Sequence, residues 1–147
     1  MDDLQQLEGW AGPLLAKLQP AARKRLARLV GTALRRSQVQ RIREQRNPDG
    51  SAYAPRKRAQ SGQIKRRADR MFQGLTKAKH FKVQANEQEV AVGFLGRVAR
   101  IACVHQEGLS DRVTADGPTV RYERRELLGF TDADRQTIRE LLLEHLT

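Results

Sequence analysis

The longest helical pattern in the sequence ends at Asn47-Pro48-Asp49-Gly50, and this stop divides the chain into two parts. From Pro20 to about Arg46, apolar residues recur at three- and four-residue spacings, as on one face of a helix. In the stop, proline suits the second position of a turn and glycine tolerates positive φ. The predicted helix is roughly 40 Å long, which is longer than a small core requires. We therefore expect it to lie across a small sheet or to project toward a neighbouring subunit.

The residues on either side of this helix predict the remaining elements. Residues 2–18 have the spacing of an amphipathic helix, and Gly12-Pro13 predicts a kink or two short helices there. Later elements are a short helix near residues 71–78, a hairpin at 81–85 and 90–92, a helix between Gly96 and Gly108, a strand at 119–122, and a last helix capped by Thr131 and Asp134. This order predicts an α+β fold in which long N-terminal helices pack on a small antiparallel sheet.

Length and composition bound the architecture. A chain of 147 residues is large enough for one modest core, so we predict a single domain over residues 1–147. A basic extended loop is expected at about residues 47–70. No apolar run is long enough to cross a membrane, and the acidic N-terminal stretch does not resemble a signal peptide, so we expect cytoplasmic synthesis and no membrane partner. Cys103 is the only cysteine, which excludes an internal disulfide.

Positive charge is concentrated in one segment. Residues 23–70 contain 16 of the 28 Lys and Arg residues and three acids, a net charge of +13, whereas the other 99 residues have a net charge of −2. Such a segment suits polyphosphate or an acidic protein surface, and a solvated helix face followed by a disordered loop is the plainer interpretation. The candidate docking or DNA-facing residues are Arg41, Arg43, Arg46, Tyr53, Arg56, Lys57, Arg58, Lys65, Arg66 and Arg67.

The sequence contains no recognisable catalytic or metal-binding pattern. His80, His105 and His145 do not stand at metal-ligand spacing from one another or from Cys103. Cys103 and His105 are two residues apart on a predicted helix and therefore point in different directions. We predict no enzymatic activity, no cofactor and no metal.

Non-specific nucleic-acid binding is the alternative function. Basic side chains gain affinity for phosphates by releasing counterions. However, the only aromatic residues near the basic run are Tyr53 and Phe72, which flank it. Stacking platforms are therefore scarce, and sequence-specific recognition is not expected.

Three stretches of the sequence resemble the phage virion morphogenesis family. The first contains Arg41, Ile42, Gln45, Pro48, Asp49, Gly50, Tyr53, Pro55, Arg56 and Lys57. The second is Gly96–Gly108, in which a helix of small residues is followed by His, a polar pair and Gly. The third is Arg125–Gln136, which leads into the last helix. Cys103 and Glu107 depart from the family pattern in the second stretch.

The resemblance implies a structural role in the virion. Members of this family complete the head-proximal end of a contractile tail so that it can join a filled head. Related neck proteins are similar in being small α+β subunits that assemble into rings, often sixfold. The implied partners are further copies of the chain as a hexameric ring, tail-tube or tail-terminator proteins, head connector proteins and packaged DNA. The implied location is the neck of the virion, after assembly in the bacterial cytoplasm.

Overall fold

A computed structural model of the protein describes residues 3–56, 70–112 and 115–146. The helices and strands in these residues are α1 (Asp3–Ala16), α2 (Pro20–Arg43), a 3₁₀ helix (Gly74–Thr76), β1 (Phe81–Ala85), β2 (Val90–Phe94), α3 (Arg97–Glu107), β3 (Ser110–Arg112), β4 (Thr119–Arg121) and α4 (Asp132–Leu146). The strands form two small antiparallel sheets, β1-β2 and β3-β4. The predicted α+β class is confirmed.

Two details of the N-terminal helices differ from the prediction. α1 continues through Pro13 instead of dividing there. The carbonyl that this proline leaves without a helical partner belongs to Gly9, which is exposed, so water can solvate it. α2 ends three residues earlier than expected because Gln45 adopts a positive φ of 58°, a conformation that cannot continue a helix.

The chain forms two compact units. The first unit consists of Met1–Ser37, Val83–Val92 and Phe130–Thr147, and the second consists of Gln38–Lys82 and Gly93–Gly129. The single-domain interpretation stays a prediction. No helix in the described part of the chain combines the length and apolarity needed to cross a membrane.

The core of the first unit is built from one face of α2 and the faces of α1, α4 and the hairpin that meet it. Its buried members are Ala11, Leu26, Val30, Leu34, Ile138 and Leu142, with Val90 and Val92 packed against them. Gly31 of α2 allows the close approach of the hairpin. A Cβ at Gly31 would meet Cγ1 of Val83 and lie 2.6 Å from Cγ2 of Val90. The long helix therefore packs on the hairpin as predicted.

The start of α4 has the predicted capping arrangement. The backbone N–H of Asp134 donates to the Thr131 hydroxyl at 2.9 Å, and the backbone N–H of Thr131 donates to Asp134 Oδ2 at 3.0 Å. These reciprocal bonds satisfy two backbone donors at the helix start. Asp134 is buried, and its Oδ1 accepts a hydrogen bond from Ser37 of α2.

The second unit has its own apolar interior. Ile42, Phe81 and Leu127 are almost completely buried, and the rings of Phe81 and Phe94 meet edge to face with centroids 4.5 Å apart. Strand β3 was not predicted. It pairs with β4 in the register Ser110 to Arg121, Asp111 to Val120 and Arg112 to Thr119.

Candidate functional site

Arg41, a candidate docking residue, lies inside the second unit. It is only 6 % exposed. Its Nη1 donates to the carbonyls of Arg46 at 2.9 Å and Glu126 at 2.8 Å, and its Nη2 donates to the Leu127 carbonyl and Gln38 Oε1, both at 2.7 Å. A guanidinium presents several donors in a fixed fork, so this side chain joins the end of α2 to the segment before α4. The charged guanidinium of Arg41 is therefore engaged by acceptors inside the protein and is not directed at a partner.

Tyr53 is also buried, with 5 % exposure. Its hydroxyl donates to the Glu126 carbonyl at 2.9 Å and accepts a longer bond from Arg41 at 3.4 Å. Desolvation raises the pKa of the Tyr53 hydroxyl, so it remains a protonated donor at neutral pH. The ring of Phe72 meets it edge to face, with centroids 5.8 Å apart. Neither Arg41 nor Tyr53 presents a free face for a partner in this structure.

The turn at Asn47–Gly50 is held from several sides. The Gly50 N–H donates to the Asn47 carbonyl at 2.9 Å, with Gly50 at φ +91°. Asp49 Oδ1 accepts bonds from the hydroxyl and the backbone N–H of Ser51, and these bonds lower the pKa of the exposed Asp49 carboxyl. Asn47 Oδ1 accepts the Glu126 N–H at 2.9 Å. These bonds fix the conformation of the turn and its position beside residue 126, while Asp49 and Gly50 themselves are exposed.

Gln45 fixes the residue that follows the basic loop. Its amide Nε2 donates to the Met71 carbonyl at 2.9 Å, and its Oε1 accepts the Met71 N–H at 2.7 Å. The Gln45 carbonyl accepts the Tyr53 N–H at 2.8 Å. Gln45, just after α2, is thus hydrogen-bonded to the described chain both before residues 57–69, at Tyr53, and after them, at Met71.

The third stretch of the resemblance meets the first through Arg125. Its Nε donates to the Ala54 carbonyl at 2.7 Å, and its Nη2 donates to the Pro55 carbonyl at 3.1 Å. Its Nη1 lies 3.4 Å from Nδ1 of His105. Sequence reasoning did not select Arg125 as a site residue, because its carbonyl partners lie about 70 positions away in the chain. The only available signal was its place in the family pattern.

His105 and Gln106 connect the second stretch to the same cluster. The ring of His105 lies between those of Phe72 and Tyr122, with centroid distances of 4.7 and 4.9 Å. Burial, followed by the charges of Arg125 and Arg56, lowers the pKa of His105 to about 4. The Oε1 of Gln106 accepts the N–H groups of residues 127 and 128 at 2.8 and 2.9 Å.

The three resembling stretches therefore converge on one hydrogen-bonded cluster, which we call the signature cluster. It comprises Gln38, Arg41, Gln45, Asn47, Tyr53, His105, Gln106 and Arg125. All of its members belong to the second unit. Most of its acceptors are backbone carbonyls, and no nucleophile stands beside a base in it. The cluster can fix chain geometry, and it presents no arrangement for bond chemistry.

The exposed candidate residues surround this cluster. Arg43, Arg46 and Arg56 are exposed, and Arg46 donates one bond to the Gly50 carbonyl at 2.9 Å. The candidates Lys57, Arg58, Lys65, Arg66 and Arg67 lie outside the described residues. Cys103 is exposed on α3, whereas His105 is held among aromatic rings. In the described residues, no group of His, Cys, Asp and Glu side chains is placed to hold a metal ion.

Comparison with known sequences decides the family. The sequence profile of the phage virion morphogenesis family matches residues 2–147. The chain belongs to this family.

A curated relative agrees with the match along the whole chain. The tail completion protein S of Escherichia phage P2 is 36 % identical over 151 residues, which cover 99 % of this chain and 99 % of the relative. No solved structure matches the chain significantly. As a member of the virion morphogenesis family, the protein has a structural role in phage tail assembly.

Proposed function

We propose that this protein completes the head-proximal end of a contractile phage tail, where copies of it form a ring that joins the tail to the filled head. The end-to-end similarity to a protein named for tail completion carries this proposal. The signature cluster supports it, because its internal hydrogen bonds make a rigid scaffold and not a reaction site.

Exposed positive charge supports docking to acidic neighbours. Arg43, Arg46 and Arg56 are exposed near the end of α2, and Lys57, Arg58, Lys65, Arg66 and Arg67 continue the basic sequence. In the assembled neck, these residues meet acidic surfaces of tail-tube, tail-terminator or head connector proteins.

Packaged DNA is the second candidate partner, favoured by the net charge of +13 over residues 23–70. The aromatic rings argue for protein docking as the main role. Tyr53 is buried, and Phe72 packs against Tyr53 and His105. Bases are therefore offered no free stacking face at these two positions.

Charge reversal near the end of α2 tests the proposal. The double substitution Arg43→Glu/Arg46→Glu is compared with Lys77→Glu/Lys79→Glu, which makes the same charge change at other exposed positions. Each gene is supplied to a phage that lacks its own copy, and joined particles are counted by electron microscopy. We expect separate full heads and tails with the arginine reversal and joined particles with the lysine reversal. Normal joining in the complete absence of the protein would overturn the proposed function.

A further inference from the structure

One face of α2 in the first unit is basic and exposed. Arg25, Arg28 and Arg36 are exposed there, with Leu29 between them at 40 % exposure. They lie opposite the residues that face the core, Leu26, Val30 and Leu34, because 3.6 residues make one helical turn. The three arginines extend over roughly 16 Å of helix at 1.5 Å per residue. We call this surface the α2 stripe.

The charges of the α2 stripe are not neutralised within the described part of the chain. The salt bridges there join Arg100 to Asp111, Arg124 to Glu126 and Arg135 to Asp132. None of them involves α2. An exposed leucine surrounded by unpaired arginines is the composition of an interface, in which arginine is enriched and an apolar residue supplies the anchor.

A groove between α1 and α4 has complementary properties. Its volume is about 310 Å³, and it is lined by Gln6, Trp10, Arg139 and Leu143. Trp10 and Leu143 are 41 % and 42 % exposed. Tryptophan is enriched in binding hot spots, and Leu143 adds apolar surface beside Trp10.

Acidic residues lie next to this groove on α4. Glu140 and Glu144 are exposed and one helical turn apart, and no described salt bridge includes either of them. Two arginines are close as well. Arg135 pairs with Asp132 at 3.2 Å. Arg139, which lines the groove, donates to Gln136 at 3.4 Å, an uncharged partner that does not neutralise it. Glu140 accepts a hydrogen bond from the uncharged Gln136 amide at 3.1 Å, so within the described residues neither glutamate is paired with a cation. We call the groove and these glutamates the α1/α4 groove.

We propose that the α1/α4 groove of one copy binds the α2 stripe of the next copy. Leu29 enters the groove against Trp10 and Leu143, while Arg25 and Arg28 meet Glu140 and Glu144 of the neighbour. Both surfaces belong to the first unit. Each has exposed apolar residues, and the arginines of the stripe are opposite in charge to the two glutamates beside the groove. DNA provides an acidic partner for the stripe, but it provides no partner for Trp10, Leu143 and the two glutamates.

The contact is heterologous, since the stripe and the groove are different surfaces of the same chain. Heterologous contacts generate a ring when the rotation between copies closes. The inference therefore rests on the proposed ring and names its subunit interface. The apolar anchor supplies most of the affinity, whereas the charge pairs set the register and exclude wrong partners.

Charge reversal on both sides tests this interface. One variant carries Arg25→Glu/Arg28→Glu, the second carries Glu140→Arg/Glu144→Arg, and Lys77→Glu/Lys79→Glu is the control. Sedimentation velocity of each purified protein measures its oligomeric state, and circular dichroism checks that it is folded. We expect the wild type and the control to form oligomers. Each reversal should weaken association by about 100-fold, because like charges then face each other.

A mixture of the two reversal variants tests whether the stripe and the groove contact each other. The reversed stripe of one variant fits the reversed groove of the other, and the native surfaces of the pair also fit, so the mixture is expected to recover oligomers. A chain that carries all four substitutions is likewise expected to assemble. Lack of recovery in both cases would overturn the interface, as would a wild type that stays monomeric at every concentration.

A crosslink gives a second measurement that does not depend on charge. In a Cys103→Ala background, Leu29→Cys and Leu143→Cys are introduced into separate chains, which are then mixed and oxidised. A disulfide between the two chains is expected, and its absence contradicts the contact. Oligomers that survive every substitution would refute this interface but leave the ring intact. A protein absent from the neck would instead refute the proposed function, whatever the oligomeric state.

Discussion

At the scale of single residues, Arg41 shows how far charge alone can mislead. It belongs to the basic segment and to the family pattern, yet its guanidinium is buried and its donors reach carbonyls at residues 126 and 127. The sequence near Arg41 does not distinguish it from exposed Arg43, because two of its acceptors lie about 85 positions away. The sequence placed Arg41 and Tyr53 among the candidate docking residues, and only the structure shows that both side chains are buried.

Removal of the Arg41 guanidinium is expected to destabilise the fold. Arg41→Ala leaves the Glu126 and Leu127 carbonyls and Gln38 without their buried donor, at a cost of about 2–4 kcal/mol in the free energy of unfolding. Arg43→Ala, the exposed neighbour, should change that free energy by less than about 0.5 kcal/mol. Urea denaturation of both variants measures the difference. Equal stabilities would show that Arg41 has no structural role.

His105 is expected to make the stability depend on pH. Its pKa in the folded protein is about 4, below the ordinary value of 6.5, so the unfolded chain takes up the proton first as the pH falls. The contribution of neutral His105 is therefore complete above pH 6.5 and is lost between pH 6.5 and 4. In His105→Phe, which keeps an aromatic ring beside Phe72 and Tyr122, this part of the acid sensitivity should disappear.

Urea denaturation of the wild type and His105→Phe at several pH values between 7.5 and 4 tests this expectation. Titration of the carboxylates is common to both proteins, so the difference between the two pH profiles isolates His105. Parallel profiles would contradict the account.

At the scale of elements, the spacing of apolar residues and the boundary residues predicted most of the longer helices and the hairpin. They predicted α2, the hairpin, α3 with its glycine boundaries and the capped start of α4. They failed for β3, whose Ser-Asp-Arg sequence has no apolar alternation and which is a strand because β4 pairs with it. At Pro13 they predicted a kink or two short helices, and of these the division into two helices is wrong, because α1 is one helix through this proline. The predicted basic loop at residues 47–70 lies mainly outside the described residues, and its described start is a well-bonded turn.

The packing of α2 on the hairpin predicts opposite effects for two glycine substitutions. Gly31→Ala forces a methyl group against Val83 and Val90, and overpacking of this kind costs about 1–3 kcal/mol. At Gly9 of α1 nothing lies within 4 Å of the added Cβ, so Gly9→Ala should stabilise the helix by up to about 1 kcal/mol.

Thermal or urea unfolding of Gly31→Ala and Gly9→Ala measures whether each substitution lowers or raises the free energy of unfolding. Stabilisation by Gly31→Ala would show that the hairpin does not approach α2 as closely as described.

At the scale of the whole molecule, the three resembling stretches predicted the family, and the structure explains why they occur together. They converge on the signature cluster, which fixes the end of α2, the turn and the segment before α4. The surfaces that we propose for partners are the exposed basic residues, the α2 stripe and the α1/α4 groove. The basic residues near the end of α2 were candidates from the sequence, but the α1/α4 groove was not, because solvent exposure on a helix depends on what the rest of the chain covers. Gln6, Trp10 and Leu143 line one groove only because α1 and α4 pack side by side.

Localisation of the protein in the assembled particle tests whether it forms a ring at the head-proximal end of the tail. A reconstruction of intact virions by electron cryomicroscopy, with the protein structure fitted to the density, shows where each copy lies. We expect a closed ring of this subunit at the head-proximal end of the tail, with the α2 stripe of each copy against the α1/α4 groove of its neighbour. Density that places the protein at the distal end of the tail, or particles that contain none of it, would contradict the account.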